Sequence, residues 1–191
     1  MSNVHAVRNP AFSPLNLSNR SAAMKLLAVV SGTMILALTS QITVPMLPVP
    51  ITLQTLMVPL IGALYGWRLG ALTVFAWLGQ AAMGMPVLAG GSGSIASFVG
   101  PTAGYLFAFP ALAALTGYLA ERGWNGGSLP KAFAAFLMAN ALSLVVGAAW
   151  LSLSVGAEKA ILFGVTPFII GGVLKSALGA AILKASFRKD G

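Results

Sequence analysis

Between positions 26 and 183 the chain carries only seven charged residues: Arg68, Glu121, Arg122, Lys131, Glu158, Lys159 and Lys175. The first six fall at breaks between long apolar runs. Only Lys175 lies inside one, in TPFIIGGVLKSALGAAIL (166–183). About 20 apolar residues suffice to cross ~30 Å of hydrocarbon. Helices satisfy their own backbone polar groups in lipid. The pattern therefore predicts an all-α integral membrane protein. Composition agrees: 58% of residues are hydrophobic and 7% charged, against roughly a quarter charged in soluble domains.

Six runs are predicted as crossings: 26–44, 52–66, 69–83, 102–120, 132–153 and 167–184. PMLPVP (45–50) ends the first, because proline has no N–H to continue a helix. Pro59 and Pro110 predict bends in the second and fourth. GMPVLAGGSGSIASFVGPTAG (84–104) is uncharged and too rich in Gly, Ser and Pro to be one plain helix. ERGWNGGSLPK (121–131) reads as a polar loop, and GAEK (156–159) breaks the fifth run. Residues 1–24 form a polar N-terminal tail expected to lack order, residues 25–187 one six-helix membrane domain, and residues 188–191 a basic end.

Six crossings put both termini on one side, which then receives Arg8, Arg20, Lys25, Arg68, Arg122, Lys131, Lys184, Arg188 and Lys189. The other side receives Lys159 alone. Nine cations against one predict an N-in, C-in orientation by the positive-inside rule. The outer connections are then 45–51, 84–101 and 154–166. The first two are uncharged and Pro- or Gly-rich, as expected of a lid folded over the membrane face, since irregular backbone is tolerated where it lines a cavity.

The same residues exclude several functions. The chain has no cysteine, and its one histidine is His5 in the tail, so neither thiolate chemistry nor a histidine metal site exists inside the membrane. The three acids, Glu121, Glu158 and Asp190, lie outside the runs. That leaves no carboxylate pair for acid–base catalysis or a proton relay. Neither a membrane enzyme nor an ion-coupled carrier is favoured. The net charge of +8 is dispersed along segment edges rather than gathered with aromatics, so no nucleic acid is expected.

A lysine at mid-span costs about 2.5–3.5 kcal/mol on insertion scales. Lys175 either snorkels outward, or bonds carbonyls near Gly171 and Gly172, or neutralises a small anionic solute arriving from outside. The pair Lys175-Ser176 is no P-loop, because Leu174 stands where that motif needs glycine; any ATP dependence would come from a partner. Gly90, Gly91 and Ser92 of GGSG either cradle an anion with their amides or form an ordinary turn. Gln54 offers an amide for an amide- or urea-like ligand, or Thr52 simply caps its helix. Asn140 reads chiefly as an interhelical hydrogen-bonding residue. Tyr105, Trp77 and Trp150 serve as interface anchors, in packing, or in stacking on a flat ring. Ala28 and Gly32 form a small-xxx-small pair that lets another helix approach, in this chain or in a partner.

VPMLPVPITLQT (44–55), GMPVLAGGSGS (84–94), GPTAGYLFAF (100–109) and TPFIIGGVLKSALGAAIL (166–183) together resemble the BioY family. These are the biotin-binding S components of energy-coupling-factor (ECF) vitamin transporters. The resemblance runs through nearly all of 25–187. It implies a six-helix, multi-pass protein of the bacterial inner membrane that captures biotin beneath its outer loops and needs no cofactor. It implies a transmembrane T component and ABC-type ATPases as partners. Lys175 matches the family's last-helix lysine and suits the valerate carboxylate. Gln54 and the 90–92 backbone suit the ureido ring. Ala28 and Gly32 fall where S components carry a coupling motif. Gly172 stands where the family commonly has an aspartate, so the group that holds the ring differs here. The alternative reading is an autonomous facilitator or secondary carrier for a small organic acid.

Overall fold

The computed structural model describes residues 15, 17 and 20–187. The expected N-terminal tail is therefore covered only in part, and His5, Arg8, Arg188, Lys189 and Asp190 lie outside the described residues. Helix α1 (Ala22–Ser40) starts at Ser21, whose hydroxyl accepts from the Met24 amide at 3.3 Å. It is followed by strands β1 (Thr43–Val44) and β2 (Ile51–Thr52), then α2 (Gln54–Tyr65), α3 (Trp67–Ala82), α4 (Ala103–Glu121), α5 (Leu129–Val155), α6 (Ala157–Gly164) and α7 (Phe168–Ala185).

Among the described residues, α1, α4, α5 and α7 are long and apolar enough to cross a membrane. Helix α2 has 12 residues, about 18 Å at 1.5 Å per residue, well short of a full crossing; α3 has 16. Gly66 alone joins these two helices, at φ 83°, a value that glycine adopts without strain.

Two expected connections are not loops. The predicted first run ends early, and its last residues pair instead: Thr43 opposes Thr52 and Val44 opposes Ile51 in an antiparallel hairpin. The prolines between the strands exclude a helix there. In the third connection, Gly156 (φ 83°) ends α5, and α6 begins at once with Glu158 in its first turn. An acid at that end complements the helix dipole. GAEK therefore breaks one helix and starts another.

The interior is built on close backbone approach, as expected where lipid supplies no hydrophobic drive between helices. At the α2–α4 crossing, a Cβ on Gly62 would lie 2.1 Å from the Ala113 carbonyl oxygen. One on Gly117 would lie 2.5 Å from the Trp67 backbone nitrogen. The Thr116 hydroxyl, also on α4, donates to the carbonyl of Pro59 in α2 at 2.8 Å. Trp77 is fully buried and stacks on Phe109 at 6.0 Å.

Segment 84–101 contains two short 3-10 turns, Ala89–Gly91 and Ile95–Phe98. It is fixed near both ends by indole N–H groups. Trp77 Nε1 donates to the Val87 carbonyl and Trp150 Nε1 to the Gly100 carbonyl, each at 3.0 Å. Gln41, just beyond α1, adds a bond to the Leu88 carbonyl at 3.1 Å. Thus Trp77 and Trp150 both pack and hold the covering segment.

Candidate binding site

At the end of the bundle that carries the hairpin, a cavity of about 270 Å³ lies beneath the hairpin and segment 84–101. That is near the lower end of the ~300–1,000 Å³ range of small-molecule pockets, a size for one compact ligand. Its walls are mostly apolar, from Val49, Leu88, Leu106, Phe109, Leu144 and Phe168. A few polar groups converge on it, the arrangement typical of ligand pockets.

Lys175 of α7 is one of them. Its Nζ donates to the Thr52 carbonyl at 2.6 Å and to Thr55 Oγ1 at 3.1 Å. The ammonium therefore reaches across to the hairpin strand β2 and the first turn of α2, rather than to carbonyls around Gly171 and Gly172. An ammonium has three N–H groups, and two are taken. The first turn of α2 also contributes the positive end of a helix dipole. Two sources of positive potential thus meet at one wall of an apolar cavity, where an anionic oxygen is well stabilised.

Gln54 lies in the same wall and is buried. Its Nε2 donates to Ser40 Oγ at 3.0 Å, and its Oε1 accepts from Thr52 Oγ1 at 3.1 Å. The Gln54 backbone amide also donates to Thr52 Oγ1, at 3.2 Å. The Thr52 hydroxyl thus takes the first amide of α2, whose N-cap is Leu53, and Gln54 is largely committed to tying α1 to α2. Tyr105 lines the cavity with its ring, while its hydroxyl donates to the Gly164 carbonyl of α6 at 2.7 Å. Its bulk is admitted by Gly147, where a Cβ would lie 2.2 Å from the ring.

The glycine-rich turn is less available than its sequence implies. Gly90 and Gly91 are exposed, with φ 67° and 69°, and neither lines the cavity. The Gly91 amide donates to the Leu88 carbonyl, and the Ser92 amide donates to the Ala89 carbonyl. An amide cradle at Gly91 and Ser92 is thus corrected to a self-satisfied turn, although Ser92 itself lines the cavity. Gly32 also receives a different account. It is buried, and a Cβ there would lie 2.6 Å from Thr73 Cγ2 and 3.1 Å from the Tyr65 ring. The small-residue face of α1 is used against α2 and α3 of this chain; Ala28 is half-buried on the same core.

On the α5 wall, Asn140 Nδ2 donates to the Phe136 carbonyl at 3.0 Å and to Ser176 Oγ of α7 at 3.2 Å. This is the interhelical role read from sequence, but Asn140 also lines the cavity, as do Ser143 and Gly172. The cavity thus brings Lys175, Gln54, Ser92, Tyr105 and Gly172 together, and leaves out Gly90, Gly91, Ala28 and Gly32. Sequence reasoning missed Thr55 and Ser143. Thr55 is signalled only by its place in the first turn of α2. Ser143 is signalled by standing three residues after Asn140, which puts both on one helix face.

Comparison with known proteins gives this arrangement a family. The chain is 38% identical over 149 residues to the probable biotin transporter BioY of Pyrococcus horikoshii, covering 76% of this chain and 87% of that protein. It is 39% identical over 158 residues to the biotin transporter BioY of Rhizobium etli, covering 78% and 84%. A crystal structure of the S-component for biotin from an ECF-type ABC transporter superposes with a TM-score of 0.75 at 27% identity, covering 87% of this chain and 93% of that one. The profile of the BioY family matches residues 12–189, and the chain is a member of that family.

Proposed function

We propose that this protein captures biotin at the outer membrane face and delivers it inward with an ATP-driven ECF module, a T component and paired ATPases. The observation that carries the reading is the Lys175 ammonium, held beside the first turn of α2 by Thr52 and Thr55 inside a mostly apolar cavity. Its remaining N–H takes the valerate carboxylate, and the fused rings fill the apolar space near Tyr105 and Phe168. The chain is a transport protein, like the named members of its family, and catalyses no reaction. Six crossings with both termini inside, α2 and α3 being tilted or partial, agree with the nine-to-one distribution of cations. In this orientation the hairpin and segment 84–101 are the outer cover.

The test is direct binding of radiolabelled biotin to the detergent-purified protein, with desthiobiotin and lipoate as competitors. Saturable binding at one site per chain, displaced by desthiobiotin well before lipoate, is expected. Absence of saturable binding, or equal displacement by lipoate, would overturn the proposal. Uptake by cells with and without an ECF module separates the energised mechanism from an autonomous carrier.

A further inference from the structure

The α5 wall holds two polar atoms that no group among the described residues engages. Asn140 uses both amide hydrogens, on the Phe136 carbonyl and on Ser176 Oγ. The Ser176 hydroxyl gives its own proton to the Gly172 carbonyl at 2.7 Å. This chain of donors fixes the amide orientation, because a flipped Asn140 would set its oxygen against the Phe136 carbonyl. Asn140 Oδ1 is left as an acceptor with no donor among the described residues. Ser143 Oγ, three residues along the same face, is buried and makes no hydrogen bond. Among the described residues it is the only fully buried side-chain polar atom in that condition. Buried polar atoms are seldom left unpaired.

Gly172 explains why Asn140 Oδ1 stays accessible. A Cβ at that position would lie 3.8 Å from Asn140 Oδ1 and from Asn140 Cβ, in ordinary contact. A longer side chain there would lie over the acceptor. The glycine and the asparagine are complementary: the first withdraws so that the second can be reached.

We infer that Asn140 Oδ1 and Ser143 Oγ form a second polar anchor, which reads the N–H/C=O edge of a cyclic urea or amide. Asn140 accepts from the ring N–H and Ser143 donates to the adjacent carbonyl. The inference rests on the biotin reading above and says which wall holds the ring. The ammonium on the α2 side takes the acid, and the α5 pair takes the ureido edge. Specificity then follows from chemistry: an acid without a ureido edge leaves both α5 groups unpaired, and such sites discriminate strongly.

The experiment compares biotin, its ureido N-methyl derivative and 2-thiobiotin on the purified full chain. The wild type, Ser143→Ala and Asn140→Leu are measured alongside one another. Ser143→Ala breaks no protein hydrogen bond, so folding is retained, and its biotin Kd is expected to rise about tenfold. Its preference for biotin over 2-thiobiotin should fall to within about threefold. Asn140→Leu should similarly erase the penalty for N-methylation; its fold is checked by size-exclusion behaviour. If Ser143→Ala binds biotin as the wild type does and keeps the full preference over 2-thiobiotin, the α5 anchor is wrong while biotin binding stands. If the wild type binds no biotin, the functional reading fails instead.

Discussion

Lys175→Met is the most informative single change, because it keeps the aliphatic stem and removes only the charge and its donors. Two of the ammonium's bonds are internal, to Thr52 and Thr55, so one N–H is left for a ligand oxygen. A hydrogen bond to a charged group contributes about 1.5–3 kcal/mol. Leaving a carboxylate unpaired in a desolvated site brings the total to about 3–5 kcal/mol. That predicts a rise in biotin Kd of about 150- to 5,000-fold. The assay is a cycle of two proteins and two ligands, biotin and its primary amide, because only such a cycle isolates the pairwise term. The wild type should prefer the acid strongly, and the variant should bind acid and amide within about threefold of each other. Stability moves the other way: removing a lysine that costs about 2.5–3.5 kcal/mol to hold at mid-membrane should leave the ligand-free thermal transition unchanged or higher. Equal losses for acid and amide, or a variant that no longer folds, would show that Lys175 is structural and refute the reasoning.

Gly62→Ala should destabilise the chain by at least about 2 kcal/mol, since the new methyl meets backbone of α4 on a face that cannot yield; denaturation in mixed micelles measures it. Trp150→Phe removes the indole donor to the Gly100 carbonyl and should raise the biotin dissociation rate about 2- to 10-fold, the value of one hydrogen bond; ligand-chase kinetics read it. Gly91→Ala should alter biotin Kd by no more than about 30-fold, reflecting a left-handed backbone cost of roughly 1–2 kcal/mol, because its amide is committed to the Leu88 carbonyl. A loss beyond a hundredfold in an equilibrium binding assay would return that amide to the site.

The long runs were legible because period and hydropathy are properties of the segment itself; α4, α5 and α7 lie close to their expected limits, whereas α1 begins and ends four residues before its own. That Lys175 needs a partner was legible for a similar reason, as one charge in an apolar run must be satisfied wherever the run sits. Its partner was not, because Thr52 is 123 residues away in sequence and only packing brings it near. The turn at 90–92 stayed open between a cradle and an ordinary turn for a different reason. Glycine content reveals permitted backbone angles but not where the amides point, and here they point back into the turn. Gly32 shows the same limit, since a small residue reports a close neighbour without naming it. Helix α6 was hidden because the residues that stop α5 are those that start the next helix.

The Lys175 ammonium is moored to Thr52, a residue of the hairpin that roofs the cavity. An acid that docks on this cation therefore docks on the roof as well. On the proposed binding mode, recognition and enclosure share a single nitrogen atom, so whatever loosens the hairpin also shifts the cation. On that mode a shut vestibule and a well-aimed cation are two faces of the same event, and release undoes both at once.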